Sequence, residues 1–265
     1  HIFFPFVIFS SLSQNNFDAI HIEGLEMTPY LSVINNYYAK KELRPLIVYD
    51  AHNAEHMIQS RAIKIGRFKP KQLLNNIYST IQLPRISKLE QEACAKSDIT
   101  ICVSKEDAKH LKTIAPNITP IILPNGIFIK DYNNHIPKTV PQSPTILFTG
   151  KMDYKPNIDA VIWFAKSILP QIQRLHKNVN FLIVGKSPTQ SVINLSKQNG
   201  ITVTGEVEDI KQYIAEATIC VVPLRMGGGT RFKILEAFAM LKPVVSTSIG
   251  AEGFPVQHDH HLIIA

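Results

Sequence analysis

The sequence predicts an α/β fold with two doubly wound, Rossmann-like domains that face a cleft. Two observations predict it. Short apolar runs, typical of buried parallel strands, alternate with longer amphipathic stretches along the whole chain. This alternation is interrupted once, by the proline-punctuated segment from Asn133 to Pro144. We therefore predict an N-terminal domain over residues 1–140 and a C-terminal domain over residues 141–265.

The first half contains four apolar runs of strand length and three longer stretches of helical pattern. The predicted strands are Ala19–Glu23, Leu46–Asp50, Ile99–Ser104 and Ile121–Pro124. The predicted helices are Pro70–Leu83, Ile86–Ala95 and Lys105–Ile114.

The alternation restarts in the second half. The predicted strands are Thr145–Thr149, Asn180–Val184, Ile201–Thr204, Ile219–Leu224, Pro243–Thr247 and His261–Ile264. The predicted helices are Ile158–Ile172, Gln190–Lys197, Ile210–Glu216 and Arg231–Met240. Glycine follows four of these strands, at Gly150, Gly185, Gly205 and Gly227. Because open α/β sheets bind ligands at the carboxyl ends of their strands, we expect the functional site there.

The formal charge of +7 points to nucleic acid, an anionic membrane surface or a phosphorylated ligand as a partner. The lysines are dispersed and no aromatic residues are interleaved with them, so we expect no nucleic-acid partner. A phosphorylated ligand and peripheral association with the inner face of the cytoplasmic membrane both stay open.

The three cysteines, Cys94, Cys102 and Cys220, show no C-x-x-C spacing. Two of them lie in strand-like runs, which predicts buried thiols and a reducing, cytoplasmic location. The opening run His1–Phe9 is shorter than the roughly 20 residues of a membrane-spanning helix. The chain begins without Met and stops on an apolar run, so we expect both domains to be incomplete.

A glycine-rich turn follows the predicted strand that ends at Leu224. Gly227, Gly228 and Gly229 precede a predicted helix that carries Arg231, Lys233 and Glu236 near its start. Glycines allow close backbone approach, and a helix N-terminus attracts anions. A carboxylate can accept hydrogen bonds from sugar hydroxyls, so the segment suggests a phosphate beside a ribose. An ordinary strand-to-helix turn is the alternative.

A phosphate-binding P-loop is excluded as the explanation of a second glycine motif. Gly185-Lys186-Ser187 imitates the end of that motif, but the required first glycine is Asn180 and Pro188 follows directly.

Several segments together resemble the group 1 (GT4-like) family of GT-B glycosyltransferases. The second half does so closely, from Pro144 to Ala265, and the first half more loosely. The resembling segments are FTGKMDYKPNIDAVIWF (148–164), VTGEVEDI (203–210), VVPLRMGGGTRFKILEAFAMLKPVVST (221–247), IGAEG (249–253), LIVYDAHNAEH (46–56), KSDITICVSKEDAKHL (96–111) and LPNGI (123–127).

The resemblance implies a retaining hexosyltransferase that uses a UDP- or GDP-linked sugar. The acceptor would be a glycan or a lipid-linked glycan in envelope or exopolysaccharide assembly. Donor binding would belong to the C-terminal domain and acceptor binding to the N-terminal domain. No D-x-D carboxylate pair is present, so we expect neither a metal nor a cofactor, and cations would stabilise the leaving diphosphate.

The resemblance also assigns site residues. The donor diphosphate would be bound by Lys151, Lys155, Gly228, Gly229, Thr230, Arg231 and Lys233. The ribose and base would be bound by Glu236, Gly205 and Val207. His52 would be the catalytic residue, as a polar contact near the acceptor.

The sequence departs from the family pattern twice. Lys151 stands where the family has arginine, and Gly228 stands where its E-x7-E pattern has the first glutamate. Non-functional alternatives also stay open. The two lysines that follow the first predicted strand of the C-terminal domain could be solvated, and His52 could be a structural loop residue. Either Arg231 or Lys233 could be a helix-surface charge.

Two histidine motifs contain residue types that can bind a metal ion. His52-Asn53-Ala54-Glu55-His56 spells the inverted zinc-peptidase motif H-x-x-E-H, which needs both histidines on one helix. The predicted turn after Asp50 argues against that. The run from His258 to His261 also contains metal-ligand residue types, but a surface turn explains it better.

A GT-B sugar-nucleotide epimerase and a non-catalytic nucleotide-binding partner remain the alternative functions.

Overall fold

The structure is a computed structural model that describes residues 4–66, 73–132, 143–228 and 230–265. Its contacts divide the chain into two compact units. The first unit runs to Pro124 and includes Gly228 and Thr230, and the second contains Asn125–Gly227 and Arg231–Ala265. The division at 124/125 comes before the predicted boundary at 140/141. The reason is that Tyr132 packs against the core of the second unit.

The first unit is built on a parallel four-stranded sheet. Its strands lie in the order β1 (Ala19–Glu23), β2 (Leu46–Ala51), β3 (Ile99–Cys102) and β4 (Ile121–Ile122). Its helices are α1 (Phe4–Gln14), α2 (Leu31–Tyr38), α3 (Glu55–Gly66), α4 (Leu73–Lys96) and α5 (Lys105–Ile114). Ile47, Tyr49, Cys102 and Leu111 lie at the centre of its core.

The helices of the first unit differ from the prediction. The sequence did not predict α1, α2 or α3. The two helices predicted on either side of Pro84 form a single helix, α4, with Pro84 inside it. A proline removes one backbone hydrogen bond, but the following turns of α4 bury Glu90, Ala93 and Cys94 in the unit. This packing favours a continuous helix. Residues 70–72 of the first predicted helix lie outside the described residues.

The second unit contains a six-stranded parallel sheet. Its strands are β5 (Thr145–Thr149), β6 (Asn180–Val184), β7 (Ile201–Gly205), β8 (Ile219–Val222), β9 (Val244–Ser246) and β10 (Ile263–Ile264). They lie in the order β10-β9-β8-β5-β6-β7. The order therefore reverses between β5 and β8, which makes this pair the topological switch point of the sheet.

Helices α6 (Lys155–Trp163) and α7 (Leu169–Leu175) are joined by a π-helical turn over Phe164–Ile168. The remaining helices are α8 (Gln190–Ile193), α9 (Ile210–Glu216) and α10 (Phe232–Ala239). The core side chains Phe148, Phe181 and Ile183 are fully buried. The predicted parallel α/β architecture is confirmed, and every predicted strand is present, some shorter by a few residues.

Cys102 and Cys220 are buried free thiols as predicted, and Cys94 is a third. Among the described residues, no helix combines the length and apolar character that crossing a membrane requires.

Candidate functional site

The loops that follow β5, β6 and β7 lie side by side and are joined by backbone hydrogen bonds. Gly150 N donates to Val184 O at 3.0 Å, and Gly185 N donates to Gly205 O at 3.1 Å. A Cβ atom at Gly185, whose φ is +152°, would lie 1.9 Å from Gly150 O. Only glycine permits this approach, so the carboxyl edge of the sheet is a backbone surface without side chains at these positions.

The loop that follows β8 is held to α6. Arg225 Nε donates to Asp159 Oδ2 at 2.9 Å, and its Nη2 donates to Oδ1 at 2.6 Å. Its guanidinium also lies 5.0 Å from the ring centroid of Trp163. Bidentate arginine–carboxylate pairs impose geometry as well as adding energy. This pair therefore fixes the backbone that enters the glycine turn, on one side of the switch point.

Lys233, in the first turn of α10, extends across the switch point toward the end of β5. Its Nζ donates to Asn157 Oδ1 at 3.1 Å and lies 3.9 Å from the ring centroid of Phe148. Burial, together with the positive charge of nearby Arg231, lowers the pKa of Lys233 to about 7, and Glu236 partly opposes this shift. The ammonium therefore lacks sufficient negative charge around it, and an anionic ligand would favour its charged form.

Arg231 is buried, with 7% of its surface exposed, at the residue before α10. Its Nη2 donates to Ile249 O at 3.2 Å, and a Cβ atom at Gly227 would lie 3.2 Å from the same nitrogen. Neither Arg231 nor Lys233 is a helix-surface charge, so that alternative is wrong. Both cations point into the unit, beside the glycine turn.

Glu236 lies one helical turn after Lys233 and is partly buried. Tyr132 Oη donates to Glu236 Oε1 at 3.4 Å. Burial raises the pKa of Glu236, whereas the Tyr132 hydrogen bond and Lys233 lower it. Sequence reasoning missed Tyr132, because nothing in its local pattern indicates a contact more than a hundred residues away. Lys211 Nζ lies 5.4 Å from the Tyr132 ring centroid, so a cation also borders this group.

The loop after β7 has an open side. Gly205 has a φ of +77°, and no heavy atom lies within 4 Å of the place a Cβ would occupy. Val207, two residues later, packs against the core of the second unit. The backbone at Gly205 thus has open space on the side where a Cβ would lie.

The two lysines after β5 are exposed. Lys151 Nζ lies 3.4 Å from Asp153 Oδ2, and Lys155 is the first residue of α6. Both lie on the second unit, at the same strand end as Asn157. In the glycine turn, Gly228 and Thr230 belong by their contacts to the first unit. Gly229 lies outside the described residues.

The histidine motifs have different surroundings. His52 is exposed in the turn after β2, before α3 begins. His56 is buried inside α3, and its Nδ1 lies 2.6 Å from Oε2 of the buried Glu90. Because the two histidines do not share a helix and His56 faces Glu90, the zinc-peptidase alternative is wrong.

The run from His258 to His261 is an exposed turn, as predicted, and Nδ1 of both His258 and His261 accepts from a backbone N–H. Across the described residues, no three His, Cys, Asp or Glu side chains are grouped as metal ligands.

Residues 143–265, slightly under half of the chain, match the family model described as Glycosyl transferases group 1. A curated protein of Klebsiella pneumoniae, "Uncharacterized 44.6 kDa protein in cps region", is 27% identical over 128 residues. That match covers 45% of this chain and 33% of the relative. The chain therefore spans about a third of the curated relative it matches.

Solved structures match nearly the whole chain. Sucrose-phosphate synthase of Thermosynechococcus elongatus has a TM-score of 0.70 at 15% identity, covering 98% of this chain and 63% of its own. Anabaena HepE in complex with UDP and glucose has a TM-score of 0.67 at 14% identity, covering 98% and 67%. An E. coli structure described as trehalose-6-phosphate bound with UDP-2-fluoro glucose scores 0.65 at 13% identity, covering 93% and 62%.

These comparisons confirm the resemblance that the sequence motifs indicated. The family match covers residues 143–265, which include all six strands of the second unit. The structural matches confirm the GT-B class of fold.

Proposed function

We propose that this chain carries the donor site of a glycosyltransferase that takes a sugar from a nucleoside diphosphate donor. One observation carries the proposal most directly. At the switch point between β5 and β8, the partly buried ammonium of Lys233 lies one turn from the partly buried carboxylate of Glu236. A ligand that presents phosphate oxygens beside ribose hydroxyls matches that pair.

In this proposal the diphosphate is bound by a set of cations and backbone donors. Lys233 and Arg231 flank the start of α10, and its N-terminus adds a partial positive charge. Lys151, Lys155 and the backbone of Gly228, Gly229 and Thr230 complete the set. These groups would neutralise the charge that develops on the departing diphosphate, and we propose that transfer needs no metal ion or cofactor.

The nucleoside would lie between Glu236 and the loop after β7. Glu236 would accept hydrogen bonds from the ribose hydroxyls, with its carboxylate oriented by Tyr132. The space beside Gly205 and the apolar surface of Val207 would take the base. Solved structures with this fold contain UDP or a UDP-sugar, and this favours UDP over GDP as the first nucleotide to test.

We propose that the sugar keeps its anomeric configuration. A bond forms between the acceptor oxygen and the anomeric carbon while the bond from that carbon to the donor phosphate oxygen breaks. The acceptor proton passes to the departing diphosphate, on the same face of the sugar. This route requires no carboxylate nucleophile. His52, exposed after β2 on the first unit, stays our prediction for a polar contact near the acceptor.

We propose that the acceptor is a glycan or a lipid-linked glycan of a surface polysaccharide. It rests on the similarity to a protein from a cps region. The enzyme would work in the cytoplasm, at the inner face of the membrane, where lipid-linked acceptors are exposed. The positive formal charge of the chain suits an anionic surface.

A donor-turnover assay on the complete protein separates this proposal from its rivals. The protein is incubated with UDP-glucose or GDP-mannose, with and without membrane-extracted acceptor, and products are identified by mass spectrometry and NMR. Acceptor-dependent nucleotide release with a retained anomeric centre supports transfer. Nucleotide release without acceptor would indicate an epimerase. Nucleotide binding without any turnover would indicate a binding partner, which the glycine at position 228 favours, since the family pattern has glutamate there.

A further inference from the structure

We propose that Asn157 is a positioning residue that holds the Lys233 ammonium and the loop after β5 in one fixed arrangement for the donor diphosphate. The inference rests on the proposed function, since it names a further residue of the same donor site.

Both polar atoms of the Asn157 side-chain amide form hydrogen bonds. Its Oδ1 accepts from Lys233 Nζ at 3.1 Å, and its Nδ2 donates to Lys151 O at 2.9 Å. The side chain is buried, with 7% of the residue exposed. Because each end has a partner of opposite hydrogen-bonding character, the amide has one favourable orientation. Asn157 thus connects the first turn of α10 to the loop after β5, across the two sides of the switch point.

The space around this connection is limited. A Cβ atom at Gly150 would lie 2.8 Å from Asn157 Nδ2 and 3.0 Å from Lys233 Nζ. The ring of Phe148 bounds the ammonium on another side at 3.9 Å. An ammonium group has three donors, and the Asn157 amide takes one of them. Lys233 therefore keeps donors for an incoming anion while its position is restricted.

The choice of an amide has an electrostatic reason. Asparagine orients the ammonium without neutralising it. The charged groups that act on Lys233 from its own helix segment are Arg231 and Glu236. A carboxylate at position 157 would form an ion pair with Lys233 and would compete with a diphosphate for the same charge. It would also replace the donor that Lys151 O now accepts from. Aspartate has the same shape as asparagine, so the comparison isolates these effects.

The test compares Asn157→Asp and Asn157→Ala with Asn199→Ala, a change at an exposed asparagine in the turn before β7. The titration of Lys233 is followed by NMR on protein with labelled lysine side chains, with Lys233→Met providing the assignment. UDP affinity is measured by calorimetry at one pH. Thermal unfolding and circular dichroism establish that each variant is folded.

We expect Asn157→Asp to raise the pKa of Lys233 by about one unit or more and to weaken UDP binding about tenfold or more. Asn157→Ala should weaken UDP binding by a similar factor without raising that pKa, and Asn199→Ala should change neither quantity. If the folded Asn157 variants bind UDP as the unchanged protein does, the positioning role is wrong.

If the unchanged protein binds no nucleotide, the proposed function fails. In that case the Lys233 titration still decides whether Asn157 holds the ammonium, because it needs no ligand. A Lys233 pKa that is the same in Asn157→Asp and Asn199→Ala would overturn that contact.

Discussion

Lys233 and Glu236 lie one turn apart on α10, and burial shifts both toward their neutral forms. The pKa of Lys233 is lowered to about 7 and the pKa of Glu236 is raised, while each group partly offsets the shift of the other. Lys233 turns toward Asn157 on α6, and Glu236 turns toward Tyr132. The pair thus separates a cationic side of the site from a side that accepts hydrogen bonds from hydroxyl groups.

Nucleotide binding should be coupled to proton uptake. Since the pKa of Lys233 is about 7 without ligand, much of this group is neutral at pH 8, and a bound diphosphate should restore its charge. UDP affinity should then fall as the pH rises above 7, by up to about tenfold per pH unit. Calorimetry at pH 8 in buffers of different ionisation enthalpy should show uptake of a proton, and Lys233→Met should abolish most of it. Equal heats in all buffers would contradict this coupling.

Lys233 should also affect stability without ligand in a pH-dependent way. Its folded pKa of about 7 lies below the ordinary value of 10.5. The cost of burying its charge is therefore complete below pH 7 and is relieved between pH 7 and 10.5. Lys233→Met should raise the free energy of unfolding by about 2–3 kcal/mol more at pH 6 than at pH 9. Urea unfolding at both pH values checks this, with Lys166→Met at an exposed position as the control. The same gain at both pH values would rule out a shifted lysine.

Gly185 should be intolerant of any side chain. A Cβ there would lie 1.9 Å from Gly150 O, so the loops after β5 and β6 would have to move apart. We expect Gly185→Ala to lower the free energy of unfolding by about 2–4 kcal/mol. Gly126→Ala, where no heavy atom lies within 4 Å, should cost less than about 1 kcal/mol. Chemical denaturation of both variants measures the difference, and equal stabilities would refute the close approach.

Tyr132 should matter through its hydroxyl group. Its hydrogen bond to Glu236 lowers the pKa of that carboxyl group, so Tyr132→Phe should raise the pKa and leave the carboxylate less well oriented. We expect UDP affinity to fall about three- to tenfold, as measured by calorimetry, while Tyr213→Phe on α9 should leave it unchanged. Loss of affinity in both variants would mean that general packing, not the hydrogen bond, is responsible.

The sequence predicted the strands of both sheets well, because buried parallel strands such as Thr145–Thr149 are short apolar runs bounded by glycine or polar residues. Helices of the first unit were harder, since α1 begins with a short apolar run over residues 4–9 and α4 continues through Pro84. The glycine turn, Lys233 and Glu236 were predictable because they are adjacent in the chain. Tyr132 and Asn157 were not, because their roles arise from contacts between distant segments.

Calorimetric titration of the chain with UDP and GDP, together with Glu236→Ala, Lys233→Met and the control Lys166→Met, tests the central claim most directly. We expect one nucleotide to bind with a stoichiometry of about one. Each of the two site substitutions should weaken that binding about tenfold or more, whereas the control should bind as the unchanged protein does. Binding that is insensitive to both Glu236 and Lys233, or no binding by the folded complete protein, would contradict a donor site at the β5/β8 switch point.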